Sequence, residues 1–183
     1  MRIPQRFWDV SFSGIGNEHV RRNVQHYLQN LDTHLDAGDG LLFYGQNGTG
    51  KTGAAIVIAK EARRRGAPVL FATAEDIRIS SIERTPFHED LTLMDRAREV
   101  DLLIIDDLGK DHRGTTGYSD TLFENLIRHR ASNVRTTIIT TNLDQTRLSS
   151  RYKASMMDVV KESMVPVFAE GESLRESKVL AAG

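Results

Sequence analysis

The chain has 183 residues, 39% apolar and 27% charged, a mix that suits one folded domain with a real core and excludes a disordered or fibrous class. Its formal net charge is −1, so no global field draws it to DNA or to a membrane, and any nucleic-acid contact must come from a local basic patch or from assembly. It has no cysteine, which excludes disulfides and thiolate metal sites, and no apolar run nears the roughly 20 residues that cross a bilayer.

The opening residues, Met1-Arg2-Ile3-Pro4-Gln5-Arg6, carry charge with no apolar segment behind it, unlike a secretory signal, so a cytoplasmic location is expected. From Asn17, read as an N-cap, Val20, Val24, Tyr27, Leu28, Leu31 and Leu35 form one apolar stripe at helical spacing. The stripe predicts a single helix that ends at Asp36-Ala37-Gly38-Asp39-Gly40. Leu41-Leu42-Phe43-Tyr44 then reads as a buried strand running into a glycine-rich loop. Ala54 to Arg65 reads as a helix with basic residues in its last turn and Gly66 behind it.

Pro68–Thr73, Asp101–Asp106 and Thr136–Thr141 are further strands, apolar without strict alternation, as expected when helices cover both faces. Helices are expected at about Leu91–Val100 and Asp120–Arg130. After Asp144, Leu148 to Ser163 reads as helix and Val165-Pro166-Val167-Phe168 as a fifth strand, placed at an edge by its proline. Strands alternating with helices give an α/β class with a parallel sheet. No repeat or linker divides the chain, so residues 1–183 are read as one domain with 1–40 as its integral entry segment.

Three motifs carry chemistry. Gly45-Gln46-Asn47-Gly48-Thr49-Gly50-Lys51-Thr52 fits GxxxxGK[ST] at every fixed position, with a strand before it and a helix after it. Its glycines let backbone N–H groups converge on the phosphates of ATP, Lys51 reaches the β- and γ-phosphates, and Thr52 ligates Mg²⁺. Leu102-Leu103-Ile104-Ile105 delivers Asp106 and Asp107 to the carboxyl end of a strand, where open α/β sheets place their ligands. Asp106 is then the carboxylate that holds Mg²⁺, and Asp107 stands where hydrolysis needs a base or a water-orienting group. In Ile138-Ile139-Thr140-Thr141-Asn142, the amide of Asn142 either touches the γ-phosphate or attacking water, or merely turns the chain into Leu143-Asp144.

With these motifs the chain resembles the AAA+ ATPases of the DnaC-type and phage helicase-loader family, whose domain is shared by the IstB-type transposition helper ATPases. FYGQNGTGKT, LLIIDDLG and IITTNL are each similar to the family's wording, and Ile3-Pro4-Gln5-Arg6-Phe7 with Phe12 is similar to its entry segment near the adenine. Pro166 to Arg175 resembles its closing segment. The resemblance implies a three-layer P-loop NTPase of the AAA+ (ASCE) type, with strand order 5-1-4-3-2 and no helical lid. It implies a sensor role for Asn142 between Lys51 and Asp106, and a second sensor at Arg175.

It also implies an arginine finger that reaches a neighbouring subunit's ATP. Val159 stands where that arginine is common. Of the nearest basic residues, Arg147, Arg151 and Lys153, Arg151 is favoured, with Arg128 and Arg130 as further interface candidates. The expected function is that of a helicase loader: an ATPase that self-associates, binds single-stranded DNA and a replicative helicase, and switches partner by hydrolysis. Arg78, Arg84 and Arg113 are its candidate DNA contacts. A transposition helper, a nucleotide-gated module with slow hydrolysis and a small-molecule kinase are the alternatives, the last disfavoured by DDLG and TTN.

Overall fold

The computed structural model describes residues 3–82, 92–110, 118–171 and 173–174. Five strands form one parallel sheet: β1 Gly40–Tyr44, β2 Val69–Thr73, β3 Leu102–Leu108, β4 Thr136–Thr141 and β5 Met164–Phe168. Their order is β2-β3-β4-β1-β5, every pair parallel, which is the expected 5-1-4-3-2 read from the other edge. β5 lies at an edge and pairs with β1 alone, the position that tolerates Pro166.

The helices are α1 Glu18–Gln29, α2 Leu31–Ala37, α3 Lys51–Arg64, α4 Ala74–Ile82, α5 Leu93–Glu99, α6 Tyr118–Ser132, α7 Gln145–Arg151 and α8 Ala154–Ser163. Successive residues of a strand point to opposite faces. Accordingly Leu41, Phe43, Leu102 and Ile104 join α1 and α3 in one core, while Leu42, Leu103, Ile105 and Ile139 join α5, α6 and α8 in the other. Two cores on one sheet explain why the strands lack alternation: both faces are buried. Among the described residues no helix is long and apolar enough to cross a membrane.

Three elements differ from expectation. The stripe from Val20 to Leu35 spans two helices, because Asn30 leaves helical geometry (φ −117°, ψ 26°) between them. The tail helix is also two, α7 capped by the Asp144 side chain on Arg147 N–H and α8 beginning after Lys153. Finally, α4 follows β2 directly, its first turn secured by reciprocal bonds between Thr73 and Asp76.

The end of α5 is built round Arg130. Its side chain is fully buried. Nε donates to Thr137 Oγ1 at 2.9 Å, Nη1 to the Ala97 and Val100 carbonyls at 2.8 Å each, and Nη2 to the Thr136 carbonyl at 2.6 Å. Carbonyls that the last turn of a helix leaves unpaired are thereby satisfied. Burial, helped by the nearby Arg135, pushes the guanidinium pKa down to about 9, which still leaves it charged at neutral pH. Arg130, an interface candidate on sequence grounds, is therefore a structural residue; Arg128 is exposed and pairs with Glu124.

Candidate nucleotide site

The glycine-rich loop leaves β1 at Tyr44 and closes at Gly50, the N-cap of α3, so the positive end of a 14-residue helix faces the loop. Gly48 takes φ +84°, a conformation L side chains rarely adopt, and a Cβ there would lie 2.0 Å from Ser173 Oγ. The loop is held from outside by the closing segment, where Leu174 N–H donates to the Gly48 carbonyl at 2.9 Å. Lys51 is 5% exposed, and its Nζ donates to the carbonyls of Gly45 (2.8 Å) and Gln46 (2.5 Å), which holds the ammonium within the loop.

Thr52 opens toward β3. Its hydroxyl donates to Asp106 Oδ1 at 2.8 Å, and Thr140 on β4 donates to the same oxygen at 2.6 Å. Asp106 is 3% exposed, and burial is the largest influence on it, raising its pKa above the ordinary carboxylate value. The two hydroxyls pull it back, Asp107 pushes it up and Arg6 draws it down. Both donors land on Oδ1, and no described residue bonds to Oδ2.

At Asp107 the strand breaks register between Ile105 and Leu108, and the backbone turns left-handed with φ 57°. Its N–H is held by Thr140 Oγ1 at 3.0 Å. Its carboxylate receives Lys110 Nζ at 3.1 Å and Asn142 Nδ2 at 3.4 Å. Because β4 lies between β1 and β3, Asn142 emerges between the loop and the aspartates, and it lines one cavity of about 340 Å³ with Lys51, Thr52 and Asp107. Phe7, Val10 and Ile15 from the entry segment close the apolar side of that cavity.

The structure therefore brings Lys51, Thr52, Asp106, Asp107 and Asn142 together. It does not bring Arg151 to them. The Arg151 side chain is 8% exposed, with Nη1 donating to the Gly109 carbonyl at 2.6 Å and Nε to Asp120 at 3.3 Å. A finger for a neighbour's phosphate must project outward; as placed, Arg151 ties the segment after β3 to α6. Arg78 is likewise engaged, by Glu75 within α4. Arg84, Arg113 and Arg175 lie outside the described residues. Sequence reasoning missed Thr140, whose signal was a hydroxyl two residues before Asn142 on a strand flanking the aspartates.

The family model for IstB-like ATP binding protein matches residues 10–178. No curated protein matches the sequence. Among solved structures, the DnaC helicase loader is similar over 90% of this chain and 99% of its own, with 22% identity and a TM-score of 0.75. DnaI is similar over 94% of each chain, with 21% identity and a TM-score of 0.76. The replication initiator DnaA bound to AMPPCP and single-stranded DNA is similar over 87% of this chain and 50% of its own, with 19% identity and a TM-score of 0.67. The shared architecture is the AAA+ P-loop fold.

Proposed function

Because the chain belongs to the IstB-like ATP-binding protein family, we propose that it is an ATPase that loads a replicative helicase onto single-stranded DNA in the cytoplasm. In this reading copies of the chain assemble with ATP at their interfaces, and hydrolysis releases the partner. The observation that carries it is the convergence of Thr52, Asp106 and Asn142 beside the loop, on a fold shared with a helicase loader.

The residues fit Mg²⁺. A hydroxyl and one buried carboxylate are hard oxygen donors, and this ion is commonly held by one or two carboxylates together with nucleotide phosphates. Thr52 and Asp106 would hold it, and when bound it neutralises charge on the β- and γ-phosphates. Lys51 leaves the loop carbonyls to pair with those phosphates. Asp107 takes or orients the proton of the attacking water, and Asn142, bonded to Asp107, senses the γ-phosphate. Arg175, which lies outside the described residues, is the proposed second sensor. Arg151 reaches a neighbour's ATP only by releasing Gly109 and Asp120.

A transposition helper that binds duplex DNA and a transposase is the second reading, favoured by the family's IstB description. Co-purification with a replicative helicase, with and without ATP and with Lys51→Ala as control, separates the two. ATP-dependent capture of the helicase supports the loader; capture of a transposase instead overturns it.

A further inference from the structure

We propose that Arg6 is a phosphate ligand supplied by the chain's own entry segment and that it makes the site prefer ATP to ADP. This rests on the nucleotide reading of the loop. The resemblance assigns the entry segment to the adenine end, and Val10 Cγ1 lies in ordinary contact distance, 3.6 Å, of the place a Cβ on Gly53 would take. Arg6, from the same segment, faces the phosphate-binding residues as well. It lines the cavity shared by Lys51, Thr52, Asp107 and Asn142, and its charge reaches the Asp106 carboxylate.

Its position is built rather than incidental. Arg6 sits in a single 3-10 turn, with Phe7 N–H donating to the Pro4 carbonyl at 2.9 Å and Trp8 N–H to the Gln5 carbonyl at 3.0 Å. The guanidinium lies over the Phe7 ring, 4.6 Å from its centre, and that ring packs against the core under α1 and α3. Lys60 of α3 pins the segment further, its Nζ donating to the carbonyls of Trp8 (2.6 Å) and Val10 (2.8 Å).

The neighbouring cations are committed. Lys110 bonds Asp107, and Arg151 bonds Gly109 and Asp120, so beside Lys51 these two offer the phosphates no charge as placed. Among the described residues no carboxylate lies within ion-pair distance of Arg6. Asp107 lines the same cavity and repels a γ-phosphate, and ATP carries more charge there than ADP. An arginine lining that cavity offsets the repulsion, because its planar fork matches phosphate oxygens.

The test is equilibrium binding of Mg²⁺–ADP and of a non-hydrolysable Mg²⁺–ATP analogue to wild type, Arg6→Gln, Arg6→Lys and Lys51→Ala. Loss of one charge-assisted contact should weaken the ATP analogue about tenfold in Arg6→Gln and ADP less than about threefold, with Arg6→Lys between. Equal weakening of both nucleotides, or no change in either, overturns the role of Arg6. If Lys51→Ala abolishes both at the same time, the loop's assignment stands without it. A wild-type protein that binds neither nucleotide overturns both.

Discussion

Replacing Asp106 with asparagine should make the nucleotide-free protein more stable and its Mg²⁺ response weaker. Asp106 is 3% exposed, and among the described residues its hydrogen-bond donors are two hydroxyls, at 2.8 and 2.6 Å. Burial raises its pKa, so between the ordinary carboxylate value and its own the folded chain holds a proton that the unfolded chain has lost. The resulting stability is complete below the ordinary value and is lost as pH rises through the raised one. Once ionised, the carboxylate is therefore a net cost to the nucleotide-free fold. Asparagine keeps Oδ1 as acceptor for Thr52 and Thr140 and removes the charge.

A gain of about 1 kcal/mol, or roughly 2–4 °C in Tm for a chain of this size, is expected. Wild type gains about 2.7 kcal/mol from Mg²⁺–ATP at one hundred times its Kd, roughly 5–10 °C. Asp106→Asn should lose the part of that gain that EDTA removes from wild type. Thermal melts of both proteins, with ATP in Mg²⁺ or EDTA, measure each quantity. A nucleotide-free variant that melts below wild type refutes the buried-charge argument, and an undiminished Mg²⁺ response refutes Asp106 as the metal's carboxylate.

Asp107→Asn should slow single-turnover hydrolysis by about 100-fold or more while ATP still binds; an unchanged rate removes Asp107 from the chemistry. Arg130→Met keeps most of the side chain's bulk but leaves the Ala97, Val100 and Thr136 carbonyls unpaired, so urea unfolding should show a loss of about 3–5 kcal/mol. Gly48→Ala places a methyl against Ser173 in a backbone region alanine resists, and calorimetry should find ATP affinity lower by about tenfold. Wild-type affinity there means that the closing segment yields freely.

The strands are legible because burial on both faces writes continuous apolar runs, and the meeting of the loop, Thr52 and Asp106 because their places on strand, loop and helix fix where they come together. Other features left weaker marks. The stripe from Val20 to Leu35 reads as one helix because α1 and α2 face the same core, and periodicity does not register the change of backbone at Asn30. The α4 segment has a weak pattern and depends on its Thr73–Asp76 cap. Arg130 reads as a surface residue, since an arginine is rarely buried; only the carbonyls of α5, some 30 residues away in the chain, explain it. Asn142 was ambiguous until the order of the sheet placed it beside Asp107.

Adjacent residues on a strand ordinarily look in opposite directions, so a doublet such as Asp106-Asp107 should put one carboxylate in the site and the other behind the sheet. The left-handed turn at Asp107 undoes that division: Asp107 lines the cavity while Asp106 bonds Thr52 at its edge, and the Thr140 hydroxyl contacts both residues. Shape and charge at this position are thus separable. Asparagine, which tolerates the turn, alters charge alone, whereas valine or isoleucine would strain the backbone and swing the end of β3. The spacing between the two carboxylates is set by one peptide's handedness, not by the length of either side chain.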